Sequence, residues 1–198
     1  AEALLDTGQV SLALLRIQDC VERIEARQHA NEHQPFLGTV YYVYGRILTR
    51  MEQLTEARVQ LDQSLLYYQQ THDQSGYAYA LYTLAQVDMR EGLLKEARTK
   101  FTESLEIFLE YESHLLAASA YYFLGYLDRI AQSYTTALQN LLNGLKLYIR
   151  MGNVGSIVGS VTEIAKVAML QEQYGEACRL FGIADFLRES IGEKQWKA

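Results

Sequence analysis

The small and apolar positions of this chain recur with a period of 40 residues. Ala57, Ala97, Ala137 and Ala177 form one column, and Leu61, Phe101, Leu141 and Phe181 follow four residues on. Three residues further stand Ser64, Ser104, Gly144 and Ala184, all small. Twelve residues before each alanine lie Gly45, Ala85, Gly125 and Ala165, each preceded by an apolar neighbour: Tyr44, Leu84, Leu124 and Ile164. Apolar residues three and four apart mark one face of a helix, and a fixed long period marks a repeat architecture. Small residues let two helices approach closely, and a larger residue one turn away fills the gap beside them. The columns at Gly45 and Ala57 therefore predict the two helices of one hairpin.

The segments between the columns read as breaks. Met51-Glu52-Gln53-Leu54, Glu91-Gly92-Leu93-Leu94, Ala131-Gln132-Ser133-Tyr134 and Gln171-Glu172-Gln173-Tyr174 are expected to turn the chain. Each ends in a residue that can pack under its turn. The second break of each repeat carries capping chemistry: His72-Asp73-Gln74-Ser75-Gly76, Glu112-Ser113-His114 with Ser113 as N-cap, and Gly152-Asn153-Val154-Gly155-Ser156. First helices are predicted near 35–51, 75–91, 115–131 and 155–171, and second helices near 54–71, 94–111, 134–151 and 174–191.

A half-repeat precedes these. Gly8, Ala13, Ile17 and Cys20 match Gly92, Ala97, Phe101 and Ser104, so residues 10–28 read as a second helix whose partner is mostly missing. The spacing from Ala13 to Ala57 is 44 residues, and the extra length falls in the polar stretch Gln28 to Pro35. Pro35 suits the first turn of the next helix. The expectation is one all-α solenoid over 1–198: a partial repeat at 1–33, then full repeats at 34–73, 74–113, 114–153 and 154–193.

The series Ala97, Phe101, Ser104, with Leu84-Ala85 before it, resembles the tetratricopeptide repeat (TPR). Tyr41, Leu81 and Tyr121 take the place of that family's first-helix aromatic, and Val161 departs from it. The period of 40 exceeds the family's usual 34, and the closing proline is replaced by Gly, Asp and Asn. Both features resemble the long repeats of large bacterial LuxR-type signal-transduction ATPases, as does the helix from Glu176 to Gly192. The resemblance implies antiparallel helix hairpins stacked into a right-handed superhelix. It also implies a parent protein with a nucleotide-binding domain before the repeats and often a DNA-binding domain after them.

First helices build the inner wall of such a stack. Off the packing columns, they offer Tyr42, Tyr82, Tyr122 and Thr162 in one row. Tyr79 and Ser119 fall in a second, and Arg46, Gln86, Tyr126 and Lys166 in a third. Arg50 and Arg90 occupy a fourth, with Arg129 beside it. Tyrosine gives contact area at low entropic cost, and arginine gives planar, charge-assisted hydrogen bonds. A protein or peptide, or a small acidic effector, is the partner such a groove would hold. Two structural alternatives stand beside this reading. Tyr42, Tyr82 and Tyr122 also suit packing between repeats with their hydroxyls at the edge, and the arginines suit a solvated face paired with neighbouring acids.

Composition narrows the function further. The net charge of −6 opposes a phosphate backbone, so nucleic-acid binding through this segment is not expected. The N-terminus, Ala-Glu-Ala-Leu-Leu, has no signal-peptide pattern, and the apolar stretch Val154 to Leu170 is broken by Glu163 and Lys166, so no membrane segment is expected. Cys20 and Cys178 fall on apolar faces and read as buried free thiols, which fits the cytoplasm. His29 and His33 are four apart but lack a third ligand, so no metal site is assigned. Gly152, Gly155 and Gly159 follow no strand and precede no Lys-Ser/Thr, which argues against a phosphate loop. Asp88 and Glu91 read as acids on an exposed turn with no nucleophile near them. No catalytic constellation and no cofactor is therefore expected. The final helix carries Leu180, Phe181, Ile183, Ala184, Phe186 and Leu187, more apolar residues than one face needs, which points to self-association through an open end. The chain, which starts without Met, reads as the non-catalytic interaction or effector-sensing part of a larger bacterial transcription regulator or signalling ATPase. A free-standing scaffold or chaperone adaptor is the alternative.

Overall fold

The computed structural model describes residues 7–26 and 34–195, and among them every regular element is an α-helix. In chain order these are α1 (Thr7–Ala26), α2 (Gln34–Arg50), α3 (Leu54–Gln70), α4 (Gln74–Arg90) and α5 (Leu94–Glu110), followed by α6 (His114–Ile130), α7 (Tyr134–Arg150), α8 (Val154–Leu170) and α9 (Tyr174–Gln195). The His29–His33 pair and the N-terminal Ala-Glu-Ala-Leu-Leu lie outside the described residues. The predicted hairpins are present, with most boundaries shifted by one residue.

Helices α2 to α8 are each 17 residues long, and each is followed by the same three-residue turn. The second residue of every turn is left-handed: Glu52, His72, Gly92, Glu112, Gln132, Gly152 and Glu172, spaced 20 apart with φ between 53° and 80°. The third residue donates its N–H to a carbonyl five back, as in Gln53 to Leu48 O (3.0 Å), Leu93 to Asp88 O (2.8 Å) and Ser133 to Asp128 O (2.9 Å). This is the six-to-one bond of a Schellman motif, which satisfies the carbonyls left open at a helix end. The same residue then caps the next helix. Asp73 and Asn153 do so with their side chains, accepting from the Gly76 N–H at 2.8 Å and the Ser156 N–H at 3.2 Å. Ser113 holds the N-cap position without a side-chain bond.

The chain divides into two compact units, residues 1–107 and 108–198, with the division inside α5. In the first unit, Ala57 and Leu61 of α3 meet Leu48 of α2 and Leu84 and Val87 of α4 in one buried cluster. A second cluster joins Val21 of α1 to Leu37 and Tyr41 of α2. In the second unit, Ala137 and Leu141 of α7 meet Ile164 and Val167 of α8, while Ala184 of α9 packs on Val158 and Val161. The small and large columns thus form the hairpin cores. Burying one leucine such as Leu61 fully contributes about 2 kcal/mol.

Three side chains sit differently from the sequence reading. Cys178 is exposed, because it follows Ala177 directly and one step along a helix rotates the side chain by about 100° off the packing face. Tyr174 is 62% exposed rather than packed under its turn, since among the described residues no helix follows α9 to cover it. Asp88 lies not on an exposed turn but at 0% exposure, inside the last turn of α4. There it accepts from Arg58 of α3 (2.6 Å) and Lys100 of α5 (2.5 Å).

Candidate functional site

In the first unit, α2 and α4 are the first helices of successive hairpins and pack side by side. The end of α3 and its turn lie between them. The Tyr68 ring occupies the seam, and it fits because α2 and α4 carry glycine there. A Cβ on Gly38 would meet the ring at 2.8 Å, and one on Gly76 would come closer still. The Tyr68 hydroxyl donates to Thr39 Oγ1 (3.2 Å). Burial raises the Tyr68 phenol pKa, and the Thr39 hydrogen bond opposes that rise.

Above this floor opens a pocket of about 320 Å³. Tyr42 and Tyr79 form its aromatic wall, with ring centroids 6.0 Å apart and planes tilted by 56°. The Arg46 guanidinium lies 5.8 Å over the Tyr42 ring, a cation–π arrangement at the rim. Thr39, Ser75 and Asp73 supply polar edges. A space of this size, with aromatic faces and both signs of charge at its mouth, is shaped to take one side chain or a short peptide segment.

The second unit gathers a different set. Glu163 of α8 is buried and is held by two cations: Arg129 of α6 donates from Nε (2.8 Å) and Lys166 donates from Nζ (2.5 Å). Arg129 also lies 5.1 Å over the Tyr126 ring. Tyr122 is half-buried, and its phenol is pushed up to about 12. Burial is the main cause, the negative charge of Glu163 adds to it, and Arg129 works against it. The Tyr148 hydroxyl and Ser119 Oγ are 2.8 Å apart.

The structure thus brings Tyr42, Arg46 and Tyr79 together at one pocket, and Tyr122, Tyr126, Arg129 and Lys166 together around Glu163. The other three expected groove residues are placed differently. Tyr82 sits edge-on to Phe101, with centroids 5.5 Å apart. Arg90 donates to the Thr49 carbonyl and to Glu52 (2.9 Å). Arg50 is exposed in the last turn of α2. Tyr42 and Tyr122 also pack on the hairpin cores, so each joins the core with one part of its ring and opens to the surface with another. Sequence reasoning overlooked Tyr68, Thr39, Asp73 and Glu163 as site residues. One signal for the first was available: Tyr68 and Tyr148 stand 80 residues apart, as do Thr39 and Ser119.

Among the described residues, no group of three His, Cys, Asp or Glu side chains is placed to hold a metal ion, and no helix is long and apolar enough to cross a membrane. No family model matches the chain, and no curated protein sequence matches it. Solved structures do. The apo form of RapI superposes with a TM-score of 0.81 at 16% identity, over 93% of this chain and 67% of that one. A variant of a Podosopora anserina putative kinesin light chain with nearly identical TPR-like repeats gives 0.73 at 19% identity, over 94% and 90%. A Rap protein complexed with competence and sporulation factor gives 0.73 at 14% identity, over 91% and 49%. The helix hairpins, their packing columns and these superpositions together give this chain the TPR-like α-solenoid fold.

Proposed function

We propose that this chain is a non-catalytic recognition domain that binds a protein or peptide along its first helices, with Tyr42, Tyr79 and Arg46 as one point of contact. The observation that carries this reading is the pocket between α2 and α4, where two phenol rings and a guanidinium converge on a space of about 320 Å³. Tyrosine and arginine in a partly desolvated concavity are the residue types that concentrate binding energy. The similarity to a Rap protein solved with competence and sporulation factor supports the same mode.

The test is a random peptide library panned against the chain, followed by calorimetry on the selected peptides. Tyr42→Ala or Tyr79→Ala is expected to weaken binding about tenfold or more, a loss of about 1.4 kcal/mol. Lys146→Ala, on the exposed side of α7, is expected to leave it unchanged. Equal binding by all three variants would remove the groove from the proposal.

We further infer that the domain serves in the cytoplasm as the sensing arm of a larger bacterial transcription regulator or signalling ATPase. The 40-residue period and the resemblance of the final helix support this. Sequencing the complete reading frame decides it. An upstream P-loop domain is the expected result, and a short frame without one would leave a free-standing scaffold.

A further inference from the structure

The pocket of the first unit has a counterpart 80 residues along the chain, inside the second unit. Tyr122 stands where Tyr42 does, Tyr148 where Tyr68 does, Ser119 for Thr39 and Asn153 for Asp73. The geometry repeats with the residues. Tyr148 and Ser119 share a hydrogen bond of 2.8 Å, as Tyr68 and Thr39 do at 3.2 Å. Asn153 caps α8 through the Ser156 N–H, as Asp73 caps α4 through the Gly76 N–H.

One aromatic ring has no counterpart. Where Tyr79 leans on Tyr42 at 6.0 Å, the second unit carries Gly159. A Cβ at Gly159 would meet only Tyr122 Cε2, at 3.9 Å, so the volume beside the Tyr122 ring is open. Gly45 and Gly125 show what a packing glycine looks like here, with a leucine Cγ 2.6 Å from the added carbon. Gly159 has no such neighbour. It also sits in the interior of α8, where glycine is among the least favourable residues. Helix stability and core packing therefore leave this glycine unexplained, whereas an open face on Tyr122 accounts for it.

We propose that the gap at Gly159 is a slot for an aromatic side chain of a bound peptide, which packs on Tyr122 in the place that Tyr79 holds against Tyr42. The chain's own first unit is the template for the complex. The inference rests on the peptide-binding reading above and adds the class of residue recognised. Aromatic pairs at such separations attract beyond simple area burial.

The test is an NMR titration of the full chain with N-acetyl-L-tyrosinamide, with N-acetyl-L-leucinamide as control. The expected result is saturable shifts at Tyr122, Ser119 and Gly159 with the aromatic probe alone. Gly159→Tyr fills the slot and is expected to weaken these shifts at least about tenfold. Tyr79→Gly opens the same slot in the first unit and is expected to add a second set of shifts at Tyr42, an arm that does not depend on how well the filled variant folds. Equal response to both probes, no response at Tyr122, or no gain from Tyr79→Gly would overturn the proposal. If panned peptides bind through Tyr42 while the probe ignores Tyr122, the groove reading stands and the slot falls. If no peptide binds while the probe still finds Tyr122, the slot stands and the peptide reading falls.

Discussion

The Cγ of Leu61 lies 2.6 Å from where a Cβ on Gly45 would be, closer than two carbons pack. Leu61 is completely buried and cannot swing away. Gly45→Ala gains about 1 kcal/mol of helix propensity, yet overpacking costs about 1–3 kcal/mol, and a net loss of stability is expected. The next repeat carries Ala85 and Phe101 at the same two positions, where a flat ring replaces a branched carbon. Gly45→Ala combined with Leu61→Phe should therefore be more stable than the sum of the single losses in urea unfolding. Strict additivity would sink this pairing.

Five of the seven left-handed turn residues are not glycine. A side chain in that conformation costs roughly 1–2 kcal/mol, part of which glycine returns through its freer unfolded chain. Gln132→Gly and Glu172→Gly should each raise stability by about 0.5–1 kcal/mol in denaturant titrations. Gly92→Ala, at φ 80°, should lower it by about 1 kcal/mol. A destabilised Gln132→Gly variant would contradict the turn geometry.

Asp88 ties three helices together, joining α4 to Arg58 on α3 and Lys100 on α5. Its removal strands two partly buried cations. Asp88→Ala is expected to cost about 3–5 kcal/mol. The loss should persist in high salt, because buried pairs are poorly screened. A loss that vanishes in molar salt would mark the network as superficial.

Tyr122 should titrate near pH 12 when followed by tyrosinate absorbance, well above the ordinary value of 10.0. Tyr68, Tyr77 and Tyr148 are raised as well, in each case chiefly by burial. The folded chain thus holds protons that the unfolded chain releases. The stabilisation is fully present below pH 10 and is lost as pH climbs through the folded values. Tyr122→Phe should flatten the fall in stability between pH 10 and 12, and an unchanged slope would refute the assignment.

Phe186 is 70% exposed on α9 and Ile183 is 50% exposed. A bare face of this kind favours self-association. Light scattering at rising concentration should show mass growth that Phe186→Asp suppresses, with little change in thermal midpoint because the side chain is already in water. Constant monomeric mass in the unaltered chain would dismiss the idea.

The hairpins were legible because alanine at 57, 97, 137 and 177 has one physical reason to recur: helix contact at 0–3% exposure. The turns were less legible. Their uniform 20-residue spacing is hidden because glutamate, histidine and glutamine fill positions that glycine would have advertised. Asp88 and Asp128 were misjudged because charge suggests solvent. Their partners Lys100 and Asn140 lie twelve residues on, the interval that also separates Gly45 from Ala57 across a hairpin, and that spacing was the clue. The site was half legible. Tyr42 and Tyr79 could be assigned to the first helices, but the seam that admits Tyr68 depends on glycines contributed by two different hairpins.

The uniform turn has a consequence for how such a chain can change in length. Turns recur every 20 residues, while matching faces recur every 40. Duplicating or deleting a single helix would join two compatible ends and still exchange every inner surface for an outer one downstream. Only insertions of two helices preserve the molecule's sidedness. Recombination can therefore lengthen or shorten this ladder freely in steps of two rungs, and any odd step inverts everything that follows it.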